Sequence, residues 1–126
     1  MPVTHLKAPA TDRGAILTKA TMRAATRLDI SGQLLAKALG VSAAQVSRFR
    51  SSEAALADRS KPFELAALLV RVFRSLDAIT GGDEAAARAW LRAPNTALAA
   101  RPMDLIASVQ GLVDVASYLD ARRAPL

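Results

Sequence analysis

The chain has 126 residues, enough for one helical domain or two very small ones, and is 52% hydrophobic but only 4% aromatic. It has no cysteine, which excludes disulfides and thiolate metal sites. No stretch approaches the length of apolar residues that a membrane span needs, and the first residues lack an apolar signal-peptide core. The net charge of +6 lies wholly in residues 1–63, with ten Lys/Arg against four Asp/Glu, while residues 64–126 carry seven of each. A basic half attracts phosphate through counterion release, whereas a neutral apolar half suits protein contacts. Alanine and leucine dominate and alternating β-branched runs are scarce, so an all-α fold in a cytoplasmic protein is expected.

Residues 1–11 contain two prolines and no hydrophobic period, and read as a flexible N-terminal arm. From about Asp12 to Arg27 an amphipathic helix is expected, with Ile16, Leu17, Ala20, Ala24 and Leu28 on its apolar face. Lys19, Arg23 and Arg27 form a basic ridge on another face, either a phosphate track or simply a solvated surface. Residues 31–52 carry the most informative pattern, that of a helix-turn-helix. Leu35, Ala36 and Leu39 share one face of a first short helix, and Val46 and Phe49 share one face of a second. Between them Gly40 supplies the tight turn, and Ser42 stands at capping spacing from Gln45. Ser42, Gln45, Ser47, Arg48 and Arg50 then form the candidate DNA-binding set, with Arg48 in mid-helix as the chief base reader. The helix-turn-helix domain is assigned to residues 12–60, and residues 61–126 to a connecting helix and a C-terminal domain.

Lys61-Pro62 opens a long helix running from Phe63 to about Thr80. Two apolar stripes run along it, leaving Glu64, Arg71, Arg74 and Ser75 as a narrow polar strip, so it must be covered on more than one side. It reads as the spine joining the two halves, with a surplus of apolar surface that predicts at least a homodimer. Gly81-Gly82 ends it, and Asp83 caps a short helix over about 84–92. Pro94 forces a break, Asn95 shapes the following turn, and Arg101-Pro102-Met103-Asp104 starts another helix. Leu105, Ile106, Val109, Leu112, Val113, Ala116 and Leu119 keep a helical period through Gly111, where a break into two helices is expected. Residues 121–126 read as a short basic tail.

Trp90-Leu91, Pro94-Asn95, Leu98, Pro102, Leu105-Ile106, Gly111, Val115 and Leu119 follow one another at the spacing of a known pattern. The C-terminal half thereby resembles the toxin-binding domain of the Xre/MbcA/ParS antitoxins, and with the preceding Xre-like helix-turn-helix the resemblance covers roughly residues 25–121. It implies a type II antitoxin whose partner is a RES-domain toxin that consumes NAD, as an NADase or an ADP-ribosyltransferase. The antitoxin would block that toxin's active site and, bound to operator DNA, repress its own operon. Many relatives extend the last helix into a glycine-ended segment, whereas this chain finishes Tyr118-Leu119-Asp120-Ala121-Arg122-Arg123-Ala124-Pro125-Leu126. Trp90 is expected in the core, and Pro94 and Asn95 are expected to be structural. Tyr118, Asp120, Arg122, Arg123 and Leu126, where the last helix runs out, form the candidate toxin-binding set. Arginine offers a planar, permanently charged fork to a site built for the phosphates of NAD.

No enzyme is expected. The single histidine, His5, lies in the arm without partners for a triad or metal site, and no glycine-rich loop follows a strand. No catalytic, metal-binding or cofactor-binding residue is therefore assigned, and no cofactor or membrane partner is expected. Three readings stay open: an antitoxin that binds both toxin and operator, a stand-alone Xre-like regulator with a C-terminal dimerisation or effector domain, and a protein inhibitor whose helix-turn-helix serves only to dimerise.

Overall fold

A computed structural model describes residues 8–123, and these form an all-α fold of seven helices. They are α1 (Ala8–Arg27), α2 (Gly32–Leu39), α3 (Ala43–Arg50), α4 (Lys61–Ile79), α5 (Glu84–Arg92), α6 (Pro102–Leu105) and α7 (Val109–Arg123). The first helix thus starts four residues before Asp12. Residues 1–7 of the expected arm, with His5, and Ala124 to Leu126 lie outside the described residues.

Each boundary of the helix-turn-helix has a local cause. Ser31 accepts from the Leu34 N–H at 3.1 Å to cap α2, and Ser42 accepts from the Gln45 N–H at 3.0 Å to cap α3. Gly40 takes φ +71°, a left-handed conformation that costs a residue without Cβ little, and the Val41 N–H then closes back on the Ala36 carbonyl at 3.0 Å. Leu35, Ala36 and Leu39 of α2 meet Val46 and Phe49 of α3 in the core, as their spacing predicts.

In α1 the buried face differs from the expected one. Thr18, Thr21, Ala24, Ala25 and Leu28 are buried, while Ile16 stands 66% exposed. Polar threonines can occupy that face because their hydroxyls are satisfied. Thr18 donates to the Gly14 carbonyl at 2.6 Å and accepts from the Leu56 N–H at 2.9 Å, and Thr21 donates to the Leu17 carbonyl at 2.7 Å. The irregular loop after α3 is thereby pinned across α1 with Leu56 in the core.

Helix α4 packs on α1 and α2 and also on α5 and α7. Leu65, Ala66, Leu69, Val70, Val72 and Leu76 are buried along it, whereas Glu64, Arg71 and Arg74 stay exposed. Ser75, expected in the polar strip, is instead fully buried beneath α7 and bonded there.

A polar seam closes the junction of the halves. The last four carbonyls of α1 have no helical partner of their own. Those of Ala24, Ala25 and Thr26 accept from the N–H groups of Leu28, Ile30 and Asp29 at 2.9, 2.8 and 3.2 Å. The Arg27 carbonyl accepts from Arg88 of α5 at 3.0 Å, and Arg92 donates to the next two, of Leu28 at 3.2 Å and Asp29 at 2.7 Å.

The expected break near Gly111 falls three to five residues earlier. Ile106 to Ser108 separate α6 from α7, Ser108 Oγ accepts from the Gly111 N–H at 3.1 Å as an N-cap, and α7 continues through Gly111. The glycine is required by close approach rather than by a turn: a Cβ there would lie 2.0 Å from the Leu105 carbonyl oxygen. Residues 121–123, read as tail, belong to α7. On α7 the buried stripe is Leu112, Val115, Ala116 and Leu119, while Val109 and Val113 face outward at 51% and 37% exposure.

Two glycine substitutions separate these causes. Gly111→Ala forces backbone apart at the α6–α7 corner and is expected to destabilise the fold by about 2–3 kcal/mol. Gly32→Ala, whose new Cβ would meet only a Val46 methyl at 3.9 Å, is expected to be neutral or to stabilise by up to about 1 kcal/mol. Urea-unfolding midpoints of both variants check the contrast.

Candidate functional site

The described candidate residues fall on two surfaces, one on α3 and one at the end of α7. On α3, Val46 and Phe49 are buried and fix the helix's rotation, so Ser47, Arg48 and Arg50 are exposed and Gln45 is half-buried. Ser42 is exposed, but its oxygen is engaged in the cap. Arg48 lies along the helix on Gln45, with Nε and Nη2 donating to Gln45 Oε1 at 3.1 and 2.6 Å. Ser47 projects freely. Arg50 lines, with Met22, Arg23, Thr26 and Arg27, a concavity of about 400 Å³, which places the basic ridge of α1 beside the end of α3. Part of that ridge serves the seam. Arg27 lies 3.5 Å from Glu84 and stacks over the Phe73 ring at 5.9 Å, while Lys19 and Arg23 remain exposed.

At the end of α7 the expected residues are more engaged than a frayed terminus would allow. Tyr118 is half-buried and stacks on Trp90, with ring centroids 6.1 Å apart and planes 20° apart. Trp90, expected in the core, is instead half-buried and packs against the core from its edge, with its ring shared with Tyr118. Asp120 accepts from Arg71 and, at 3.3 Å, from Ser75 Oγ, and Arg123 also donates to Ser75 Oγ at 3.3 Å. These bonds cross from α7 to α4. Among the described residues Arg122 is held by Tyr118, 3.2 Å from its hydroxyl and 5.6 Å from its ring centroid. Leu126 lies outside the described residues.

A concavity of about 290 Å³ lined by Ala78, Ile79, Arg122 and Arg123 adjoins this helix end. Ile79 there is 44% exposed, and its pairing with the arginines was not legible in the sequence. The exposed Val109 and Val113 were missed as well. The signal lay in the surplus of apolar positions on α7, more than one face can bury.

In the turn before α6, Asn95 Oδ1 accepts from the Leu98 N–H at 2.9 Å, so Asn95 shapes the loop as expected. Arg101 donates to both carboxylate oxygens of Asp104 at 3.0 and 2.9 Å. This hydrogen bond, more than the charge attraction, holds the Asp104 carboxyl below its ordinary value and raises Arg101. Both groups are solvated, so the pair orders the start of α6 rather than creating a reactive site. Among the described residues no three His, Cys, Asp or Glu side chains cluster as metal ligands, and no helix is long and apolar enough to cross a membrane.

Residues 8–71 match the model of the antitoxin Xre-like helix-turn-helix domain, which covers α1 to the first half of α4. Residues 75–124 match the model of the antitoxin Xre/MbcA/ParS C-terminal toxin-binding domain, which takes in the end of α4 and α5 to α7. No curated protein matches the chain at a significant level. A reading helix with outward arginines and a second all-helical unit thus agree with two adjacent domain matches, and the chain belongs to the Xre/MbcA/ParS antitoxins, with a DNA-binding helix-turn-helix domain followed by a toxin-binding domain.

Proposed function

We propose that this antitoxin neutralises a RES-domain toxin that consumes NAD, as an NADase or an ADP-ribosyltransferase, by covering its active site, and that it represses its own operon as a cytoplasmic homodimer on operator DNA. The observation that carries this reading is the pair of adjacent domain matches, spanning residues 8–124. The toxin's identity rests on the resemblance to antitoxins that partner RES proteins. The division into a DNA-binding domain at 12–60 and a toxin-binding half at 61–126 follows the charge asymmetry, with α4 straddling the boundary between the two matched regions. Co-purification with the neighbouring gene product, and loss of that product's NAD consumption on adding the antitoxin, test the central claim.

For DNA, the proposal assigns base reading to Arg48 and phosphate contact to Arg50, with Ser42, Gln45 and Ser47 alongside. Arg50 shares its concavity with Arg23 and Arg27, which supports a phosphate role. Arg48→Ala is expected to relax sequence preference by about 1–3 kcal/mol, the worth of one bidentate Arg–guanine contact. Arg50→Ala is expected to weaken operator and scrambled DNA alike and to lower the salt slope by about one. Titrations of both duplexes at several salt concentrations read the two effects separately.

For the toxin, the proposed contact is Tyr118, Asp120, Arg122 and Arg123 at the end of α7, with Ile79 of α4 alongside, and Leu126, which lies outside the described residues. Support comes from the concavity where arginine and exposed isoleucine meet, since a guanidinium on an apolar base suits a phosphate-binding pocket. Asp120 and Arg123 also brace α7 on α4, so Arg122 gives the cleanest test. Arg122→Glu is expected to weaken toxin binding at least about tenfold, or roughly 1.4 kcal/mol, and to leave operator binding unchanged. Calorimetric titration with the toxin checks the first expectation.

The homodimer has support along the edge of α4 that faces α1, since the rest of its apolar surface is largely covered within the chain. Ile16, Leu17, Ala20, Phe63, Ala67 and Val70 line, together with Arg13, Arg71 and Arg74, an open groove of about 400 Å³ between α1 and α4. Ile16→Asp is expected to convert a species of twice 13.3 kDa into one of 13.3 kDa by light scattering.

A further inference from the structure

We propose that Gln45 orients Arg48 and that the two present only hydrogen-bond donors to DNA, so that they select guanine and reject adenine and cytosine; this rests on the reading of α3 as the major-groove helix.

The argument starts from valence. A guanidinium has donors and no acceptor, so the Gln45 atom facing it is the carbonyl Oε1, at 3.1 Å from Nε and 2.6 Å from Nη2. A glutamine left alone reads adenine, accepting from N6 through Oε1 and donating to N7. Here Oε1 already accepts two hydrogen bonds, and Gln45 has only its amide N–H donors left. Arg48 has spent one edge of its fork, and its other edge, Nη1 with the second hydrogen of Nη2, stays free. Guanine alone offers two adjacent acceptors, N7 and O6, to that edge. Adenine and cytosine would bring an amino donor against a donor, and thymine offers a single oxygen.

The pair is also built to hold its direction. Gln45 and Arg48 stand three residues apart on one helix face. The Gln45 backbone is anchored by the Ser42 cap, and the burial of Val46 and Phe49 sets the rotation of α3. Gln45 is the half-buried member and Arg48 the exposed one, so the anchor lies inward and the reader outward. A preformed arginine gives up less rotamer freedom on binding than a free one. Gln45 is thus a positioning residue for Arg48.

The test is selection from a pool of randomised duplexes by the full-length protein, with sequencing of the bound fraction. The wild type is expected to prefer guanine at one position by roughly 5- to 150-fold, a preference that Arg48→Ala removes. Gln45→Glu keeps an acceptor for Arg48 and should keep that guanine while overall affinity falls. Gln45→Leu should reduce the preference at the same position to within about threefold of the other bases. Circular dichroism melts of each variant establish that it is folded. Guanine preference surviving in Gln45→Leu, loss of it in folded Gln45→Glu, or selection of an adenine that depends on Gln45 would each overturn the proposal. A wild-type pool with no preference at any position would instead overturn the reading of α3 as a base-reading helix.

Discussion

Helix α4 has apolar side chains over most of its circumference, and the need to cover it on two sides organises the molecule. Leu65, Leu69, Val72 and Leu76 are at most 4% exposed. Burying each such side chain contributes roughly 1.5–3 kcal/mol, an upper estimate because the unfolded chain is already partly collapsed. No single neighbour can provide that cover. Helices α1 and α2 supply one part and α7, with α5, the other, so the helix-turn-helix and the C-terminal half share one core rather than two. Separating them would expose a full helical face to water.

That sharing explains the chemistry of the seam. Once α1 ends against α5, its terminal carbonyls need donors that water no longer supplies freely, and Arg88 and Arg92 provide them. The accompanying ion pairs, Arg27 with Glu84 and Arg92 with Asp29, are long and solvated, at 3.5 and 3.9 Å, and add little energy of their own. Direction comes from the hydrogen bonds of Arg88 and Arg92 to those carbonyls, which set how α5 sits on the end of α1. The same division holds at the far side, where Asp120 and Arg123 converge on Ser75. A buried hydroxyl is tolerable there only because it is bonded. Apolar burial thus supplies the stability of the fold, and sparse polar contacts set the angles at which its surfaces stand.

The functional surfaces inherit that rigidity in different degrees. Helix α3 is short and is locked by its cap, by Val46 and by Phe49, so its outward residues are presented at defined positions. The end of α7 is braced through Asp120, Tyr118 and Arg123, while Arg122 lies along Tyr118. Charge follows the same partition. The basic excess of the first half gathers around α1 and α3, while the arginines of the second half are largely spent on carbonyls and carboxylates within the chain. The charge asymmetry of the sequence thus persists on the folded surface, because internal pairing cancels charge in the second half.

What the sequence determined by itself was local. The Ser42 and Asp83 caps, the Gly40 turn, the proline start of α4 and the extent of α5 all depend on residues close together in the chain. A linear pattern contains such contacts in full. Only the tertiary structure decided which face of α1 is buried, since threonine hydroxyls satisfied by Gly14 and Leu17 carbonyls let a polar face turn inward and left Ile16 outside. It also decided that Gly111 is a point of contact with Leu105 rather than a helix end, and that Ser75, Asp120 and Arg123 belong together across more than forty positions of chain. Those outcomes depend on where a second helix passes. Helical periodicity says that a face must be covered, but the identity of what covers it is set by packing between segments distant in the chain.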